Sequence, residues 1–204
     1  MDMVDAFKNL STPCVSDTQQ TSGAMDAGIR PLDRRMGVAG PAFTCRCVPG
    51  DNLALHKAIA LAQPGAVLVV SCGGNMDCSV FGQMLALSCR SRGVAGVVVD
   101  GCVRDSLELV EMGFPTYCRG THPRGPTRGS TDGVGEPVLC GGVTVHTGDI
   151  IVADGDGVVV VKPEQAQEVL SKATAKAARE EQLQSMLTEG NTTWNLLGLS
   201  EKYS

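Results

Sequence analysis

No stretch of the chain approaches the roughly 18 consecutive apolar residues that a bilayer-spanning helix requires, and the opening ten residues, MDMVDAFKNL, lack both a cationic n-region and a long apolar core. The expectation is a soluble, cytoplasmic protein with no membrane partner. Positive charge is also scarce. Lys and Arg number 17 against 22 Asp and Glu, for a net charge of -5, so the basic face that neutralises phosphates is missing and nucleic acid is not expected as a partner. A protein partner remains open. The nine cysteines (Cys14, Cys45, Cys47, Cys72, Cys78, Cys89, Cys102, Cys118 and Cys140) form no CxxC pair and have no matching His for zinc. Their number is odd and their surroundings are apolar, which predicts reduced, buried thiols rather than a disulfide or redox framework. There is no internal repeat, low-complexity tract or interdomain linker, and 204 residues at 43% hydrophobic content suffice for one sizeable core. One domain over residues 1–204 is expected.

What the sequence does hold is a strand, helix, strand unit at its centre. Residues 66–71, AVLVVS, form an apolar, β-branched run bounded by Pro64-Gly65 and Cys72-Gly73-Gly74, and residues 94–100, VAGVVVD, form a second. Between them Val80, Phe81, Met84, Leu85, Ala86 and Leu87 recur at helical spacing, with Gln83, Arg90 and Arg92 largely on the other side. A crossover of this kind makes the strands parallel. The helix start, within residues 79–85, then lies at the same end as the turn Gly101-Cys102-Val103-Arg104-Asp105. About 13 helical residues at roughly 1.5 Å and about 6 strand residues at roughly 3.3 Å both span about 20 Å. Unpaired N–H groups and the positive helix end, together with the planar fork of Arg104, predict an anion pocket. Asp105 adds a hard oxygen that suits Mg²⁺ or Mn²⁺, and Glu108 would share a face of a short helix with it. Arg104 and Asp105 read equally well as a surface ion pair capping a helix.

The flanking segments supply scaffold. Ser11-Thr12-Pro13 enters a short helix with Ser16 or Asp17 as cap. Residues 37–48 alternate Phe43, Cys45 and Cys47 against Thr44, Arg46 and Val48, a half-buried strand, and residues 51–63 read as a helix carrying Leu53, Ala54, Ala58, Ile59 and Leu61. His56 on that helix reads as a surface or packed side chain rather than a base or ligand. Leu107, Val110 and Met112 suggest a short helix, and residues 114–118 a third strand. Residues 119–137, with Arg119, His122, Arg124 and Arg128 among Gly, Pro, Ser and Thr, are a loop. It either folds over the anion pocket, where its arginines would favour a dicarboxylate, or is solvated. Two strand signals follow, with His146 pointing outward, and Asp154-Gly155-Asp156-Gly157 reads as a hairpin turn because the terminal Glu of a calcium loop is absent. An amphipathic helix over about residues 163–188 carries Val169, Leu170, Ala173, Ala177 and Met186 as its stripe, before Gly190 stops it. With the tail Trp194, Leu196, Leu197 and Leu199, it exposes more apolar surface than a monomer usually tolerates, which predicts a homo-oligomer. The fold expected is α/β, a mixed sheet with a parallel βαβ core and a β-rich C-terminal half.

Residues 93–123, GVAGVVVDGCVRDSLELVEMGFPTYCRGTHP, resemble the regulators of ribonuclease activity A and their enzymatic relatives, the 4-hydroxy-4-methyl-2-oxoglutarate aldolases. PCVSDTQ at residues 13–19, VAGPAFTCRCVPGDNLALHKAI at 38–59 and EPVLCGGVTVHTGDIIVADGDGVVVV at 136–161 extend the likeness over nearly the whole chain. The resemblance implies a layered β/β/α fold of swivelling type and a trimer or two stacked trimers. The family pattern of a turn glycine, a spacer, Arg-Asp and a later acid falls on Gly82, Arg104, Asp105 and Glu108. It implies that the backbone of Gly82, Gln83, Met84 and Leu85 and the guanidinium of Arg104 hold substrate, and that Asp105 ligates a divalent metal, Mg²⁺ or Mn²⁺. An acid from the neighbouring subunit's C-terminal helix, Glu180 or Glu181, would complete that site; read without the family, these acids form a solvated, salt-bridged face. Gln83 stands where many aldolase members carry a carboxylate, and it cannot take up a proton.

Two functions follow from the resemblance. One is a metal-dependent lyase that cleaves a small anionic 4-hydroxy-2-oxo diacid, or decarboxylates oxaloacetate, through the enolate of pyruvate. Retro-aldol cleavage needs a base for the C4 hydroxyl; decarboxylation does not. The other is a non-catalytic oligomeric modulator of a ribonuclease or another protein.

Overall fold

Four parallel strands, β2 (Val38–Arg46), β3 (Val67–Phe81), β4 (Gly96–Val103) and β5 (Thr116–Thr121), form the spine of the protein in the computed structural model, which describes residues 3–20 and 22–203. β1 (Arg30–Pro31) closes one edge antiparallel to β5, while β8 (Ile150–Ala153) and β9 (Val158–Val161) extend the other as an antiparallel hairpin. The seven strands run in the order β1-β5-β4-β3-β2-β8-β9. This is the expected mixed sheet with a parallel core, and the crossover from β3 to β4 goes through α4 (Gln83–Ser91). A separate hairpin, β6 (Val138–Cys140) with β7 (Val143–Val145), completes the β-rich C-terminal half.

Three layers result from strands that are apolar on both faces. Alternate residues of β3 and β4, Leu68, Val70, Val97 and Val99, pack under α3 (Leu53–Leu61), α4 and α5 (Ser106–Glu111). Their neighbours Val67, Val69 and Val98 face Val138, Cys140 and Val145 of the β6–β7 layer. Asp100 fastens that layer: it pairs with Arg119 of β5 and accepts from the Gly141 amide at 3.0 Å. Arg119 thus belongs to a partly buried ion pair on β5 and not to the loop. A third cluster joins α1 (Met3–Phe7), α2 (Thr12–Thr18), β8, β9 and α6 (Ala166–Thr188) through Phe7, Val15, Val161, Val169 and Ala173. A 3-10 turn, Pro163–Gln165, leads into α6, where proline's missing N–H costs nothing. Beyond α6 come α7 (Thr193–Leu196) and α8 (Leu199–Lys202), with Trp194 and Leu197 about half exposed.

Several expected boundaries move. The helix of the crossover begins at Gln83, inside the expected 79–85, but it is 9 residues long instead of about 13 and excludes Val80 and Phe81. The preceding residues stay in β3, which continues through Cys72-Gly73-Gly74 by a series of bulges and pairs Asn75, Ser79 and Phe81 with Gly101, Cys102 and Val103. Gly73 and Gly74, both with positive φ, permit those irregularities. Gly101, Cys102 and Val103 are therefore strand, and the turn shrinks to Arg104-Asp105. With the helix start displaced, Ala86 and Cys89 face the core while Met84 and Leu87 are exposed. The cap of α2 is Ser11, whose hydroxyl accepts from the Cys14 amide, rather than Ser16 or Asp17. Thr44, expected on a half-exposed face, is fully buried and bonded to Thr147. All nine cysteines are buried and unpaired by disulfides, and residues 154–157 turn the β8–β9 hairpin.

Candidate functional site

The carboxyl ends of β3 and β4 bring the turn glycine and the Arg-Asp pair into contact. A methyl group placed on Gly82 would lie 2.6 Å from Asp105 Oδ2 and 2.9 Å from Arg104 Cγ, so only a residue without Cβ admits them. The Gly82 backbone is extended, with φ −166°, so the requirement is one of space and not of conformation. Asp105 reaches across to the first turn of α4 and accepts from the Gln83 amide at 3.0 Å. The Leu85 amide turns back to the Gly82 carbonyl at 3.1 Å. Two of the four amides expected to hold substrate are thus engaged inside the protein, while those of Gly82 and Met84 find no protein acceptor among the described residues.

Arg104 Nε lies 3.8 Å from Asp105 Oδ2, beyond hydrogen-bonding reach, and no described residue accepts a bond from its guanidinium. Its fork is therefore unspent, which a simple capping ion pair does not explain. Glu108 is exposed on α5, and its carboxylate pairs with none of the described residues. Glu180 is held within its own protomer by Lys176 at 2.6 Å and the Cys14 thiol at 3.2 Å. The bond from Lys176, then that from Cys14, keeps its carboxyl below the usual range.

The loop after β5 covers the pocket. Ser79 binds the Arg124 carbonyl through both its amide and its hydroxyl, each at 2.9 Å. Gly125 passes so close to Arg104 that a Cβ there would sit 2.9 Å from Nη1. Asp51, just before α3, is the main fastening: its carboxylate accepts from Thr127 Oγ1 at 3.0 Å, the Leu53 amide at 3.0 Å and the Gly129 and Ser130 amides. Burial alone would raise the Asp51 carboxyl, but these donors outweigh it and hold it below the usual carboxylate range. A group depressed by folding stabilises at neutral pH and loses that contribution as pH falls through its folded value. Asp51→Ala is expected to cost about 1.5–3 kcal/mol, roughly 3–12 °C in Tm for a chain of this size. Thermal unfolding of both proteins from pH 7 down to pH 3 checks this, because the gap between them should narrow on the acid side.

The result is a cavity of about 140 Å³ lined by Gly82, Met84, Leu85, Arg104 and Asp105 on one side and by Asn52, His56, Pro126 and Arg128 on the other. Of these, Asn52 was not singled out in the sequence, and His56 was not expected to lie beside Arg104. His56, expected to be a surface or packed side chain, is half-buried in this wall, and burial first and Arg128 second hold its imidazole below its ordinary pKa. The signal available was the one-turn spacing of His56 from Asn52, the N-cap residue of this helix. A larger cavity, about 430 Å³, lies at the opposite end of the strands against Phe7, Leu10, Val38 and Val152, with Lys8, Arg35 and Asp154 also in its lining.

Among the described residues no group of three His, Cys, Asp or Glu side chains could enclose a metal ion. Asp105 alone offers a hard carboxylate, 38% exposed at the cavity. One direct carboxylate with water completing the shell is an arrangement Mg²⁺ accepts, so the donor chemistry fits a hard divalent cation and does not fit zinc. No helix among the described residues is long and apolar enough to cross a membrane.

Comparison with known proteins identifies the family of the chain. The profile of the RraA-like family, described as Aldolase/RraA, matches residues 3–160. The chain is 36% identical over 181 residues to a protein of Halalkalibacterium halodurans named as a candidate 4-hydroxy-4-methyl-2-oxoglutarate aldolase, covering 89% of this chain and 86% of that one. Among solved structures it is similar to an uncharacterised protein of Pseudomonas syringae, with TM-score 0.85, 30% identity and coverage of 93% and 90%. It is also similar to Streptomyces coelicolor RraAS2, described as an unusual member of the RNase ES inhibitor RraA family, with TM-score 0.82, 32% identity and coverage of 91% and 98%.

Proposed function

The chain belongs to the RraA-like family, and from that premise we propose that it is a divalent-metal-dependent carbon–carbon lyase releasing pyruvate from a small anionic 2-oxo acid. The observation that carries this reading is the unspent guanidinium of Arg104 beside the Asp105 carboxylate in one covered cavity. Arg104 binds the carboxylate and 2-oxo oxygen of the substrate and offsets the negative charge that develops there as the enolate forms. The amides of Gly82 and Met84 at the start of α4 add fixed partial positive charge on the same side. Asp105 holds the cation, Mg²⁺ or Mn²⁺, whose chemistry when bound is to polarise the 2-oxo group. Pro126 and Arg128 of the loop line the cavity opposite Arg104, and Arg128 favours a second carboxylate on the substrate. Gln83 orients groups by hydrogen bonding and takes no proton.

The test is direct. Purified protein with Mg²⁺ or Mn²⁺ is given oxaloacetate or 4-hydroxy-4-methyl-2-oxoglutarate and pyruvate is followed; metal-dependent release from at least one supports the reading, and none from either ends it. A non-catalytic modulator is the competing reading, favoured by the likeness to Streptomyces coelicolor RraAS2. It expects no turnover.

We also infer a homo-oligomer, a trimer or two stacked trimers. The second half of α6 runs past its contacts with α1 and α2, leaving Met186, Leu187, Trp194 and Leu197 between 36% and 49% exposed. In that assembly Glu180 or Glu181 of a neighbouring copy approaches Asp105. Sedimentation at micromolar concentration should show a multiple of 21.2 kDa; a stable monomer removes this inference.

A further inference from the structure

The wall contributed by α3 has two polar atoms that the protein leaves unanswered. Asn52 is 5% exposed, and its amide is oriented by Nδ2 donating to the Val80 carbonyl at 3.0 Å. That bond fixes Oδ1 as the other end of the amide, and Oδ1 is buried with no donor. His56, one helical turn later on the same face, has its Nε2 enclosed and likewise without a partner. Both residues line the cavity that holds Gly82, Arg104 and Asp105. Buried polar atoms without partners are rare in folded proteins, and two adjacent ones beside a site point to groups that a ligand satisfies.

The chemistry of the pair selects the ligand. Asn52 Oδ1 only accepts, so a carboxylate oxygen is unwelcome there. A hydroxyl can share its one proton between two acceptors, Asn52 Oδ1 and an unprotonated His56 Nε2, whereas a carboxylate offers a proton to neither. We propose that Asn52 and His56 form the subsite for the C4 hydroxyl of a 4-hydroxy-2-oxo acid, and that His56 Nε2 takes the hydroxyl proton when the C3–C4 bond breaks. This rests on the lyase reading and deepens it, because oxaloacetate in its keto form has no such hydroxyl. The step balances. The O–H proton goes to Nε2, the O–H electron pair becomes the new C4 carbonyl, and the C3–C4 pair becomes the enolate of pyruvate beside Arg104. Return of that proton to C3 gives the methyl group of pyruvate and restores neutral His56. No oxidant or reductant enters.

Neutral imidazole is the form this requires. The charged and titratable groups around His56 are Arg128 from the covering loop, Cys47 from beyond β2, and Arg104 and Asp105 across the cavity. Burial and Arg128 disfavour the cation, and Cys47 opposes them weakly. This also supplies the base that Gln83 cannot be.

Cleavage of 4-hydroxy-4-methyl-2-oxoglutarate and decarboxylation of oxaloacetate are compared in wild type, His56→Gln and Asn52→Ala. Gln at position 56 keeps a hydrogen-bonding amide and accepts no proton. The expected result is a fall of about 10²–10⁴-fold in kcat for cleavage in His56→Gln, with oxaloacetate turnover within about threefold of wild type. Asn52→Ala is expected to lower kcat/KM for cleavage about tenfold or more and to spare oxaloacetate in the same way. Oxaloacetate turnover serves as the measure of folding; if His56→Gln does not fold, the selectivity of Asn52→Ala decides. Equal losses on both substrates, unaltered cleavage, or a wild type active only on oxaloacetate overturns the hydroxyl subsite while leaving the lyase standing. A wild type inactive on both ends the lyase reading itself.

Discussion

Arg104→Lys should lower kcat for pyruvate release by about 30- to 1,000-fold, roughly 2–4 kcal/mol of transition-state stabilisation. Lysine keeps the positive charge but replaces a planar fork with a single ammonium, so it cannot contact a carboxylate and the developing enolate oxygen together. The side chain is 46% exposed and makes no hydrogen bond to the described residues, so the thermal midpoint should move by no more than about 1–2 °C. A surface ion pair predicts the opposite balance: turnover unchanged and stability altered by about 0–1 kcal/mol. Measuring kcat and Tm on one preparation separates the two, and undiminished turnover would remove Arg104 from the chemistry.

The pocket was legible because its ingredients follow from chain topology. A helix leaving the end of β3 has its N-terminus beside the end of β4 whatever its length, so the meeting of Gly82 with Arg104 and Asp105 survived an error in the helix. The strand–helix boundary was not legible. Val80 and Phe81 fit a helical stripe and a strand equally well, and what decides is the bulged pairing of Ser79 and Phe81 with Cys102 and Val103, a contact between segments over twenty residues apart in sequence. His56 was hidden for a related reason. A histidine on an amphipathic helix has no local mark of its surroundings; Arg128 and Pro126 join it in one cavity wall because Asp51 and Ser79 fasten the loop there. Gly125, by contrast, is marked out from the other glycines of its loop only by its closeness to Arg104 in space.

Asp105→Asn is the change with the most specific consequence. Asp105 sits in the left-handed region, at φ 54° and ψ 43°, immediately before α5. Asn and Asp tolerate that conformation better than other residues with side chains, so alanine there would mix backbone strain with the loss of a ligand. Asn keeps an oxygen able to accept from the Gln83 amide, the bond of 3.0 Å that ties the turn to α4, and removes only the negative charge. The fold should persist with Tm within about 2–4 °C, since the loss is that of one charge-assisted bond reduced to a neutral one, about 1 kcal/mol. Metal dependence should not persist. A cation held by one direct carboxylate loses its main protein ligand, and the polarisation it supplies is several kcal/mol, so pyruvate release should fall by two or more powers of ten and no longer respond to added Mg²⁺ or Mn²⁺. Calorimetric titration with Mn²⁺ gives a second readout that needs no turnover: binding by wild type and none by the variant. Equal Mn²⁺ affinity in the two proteins would mean that the cation sits elsewhere, and Asp105 would then be a turn residue whose carboxylate serves only to cap α4.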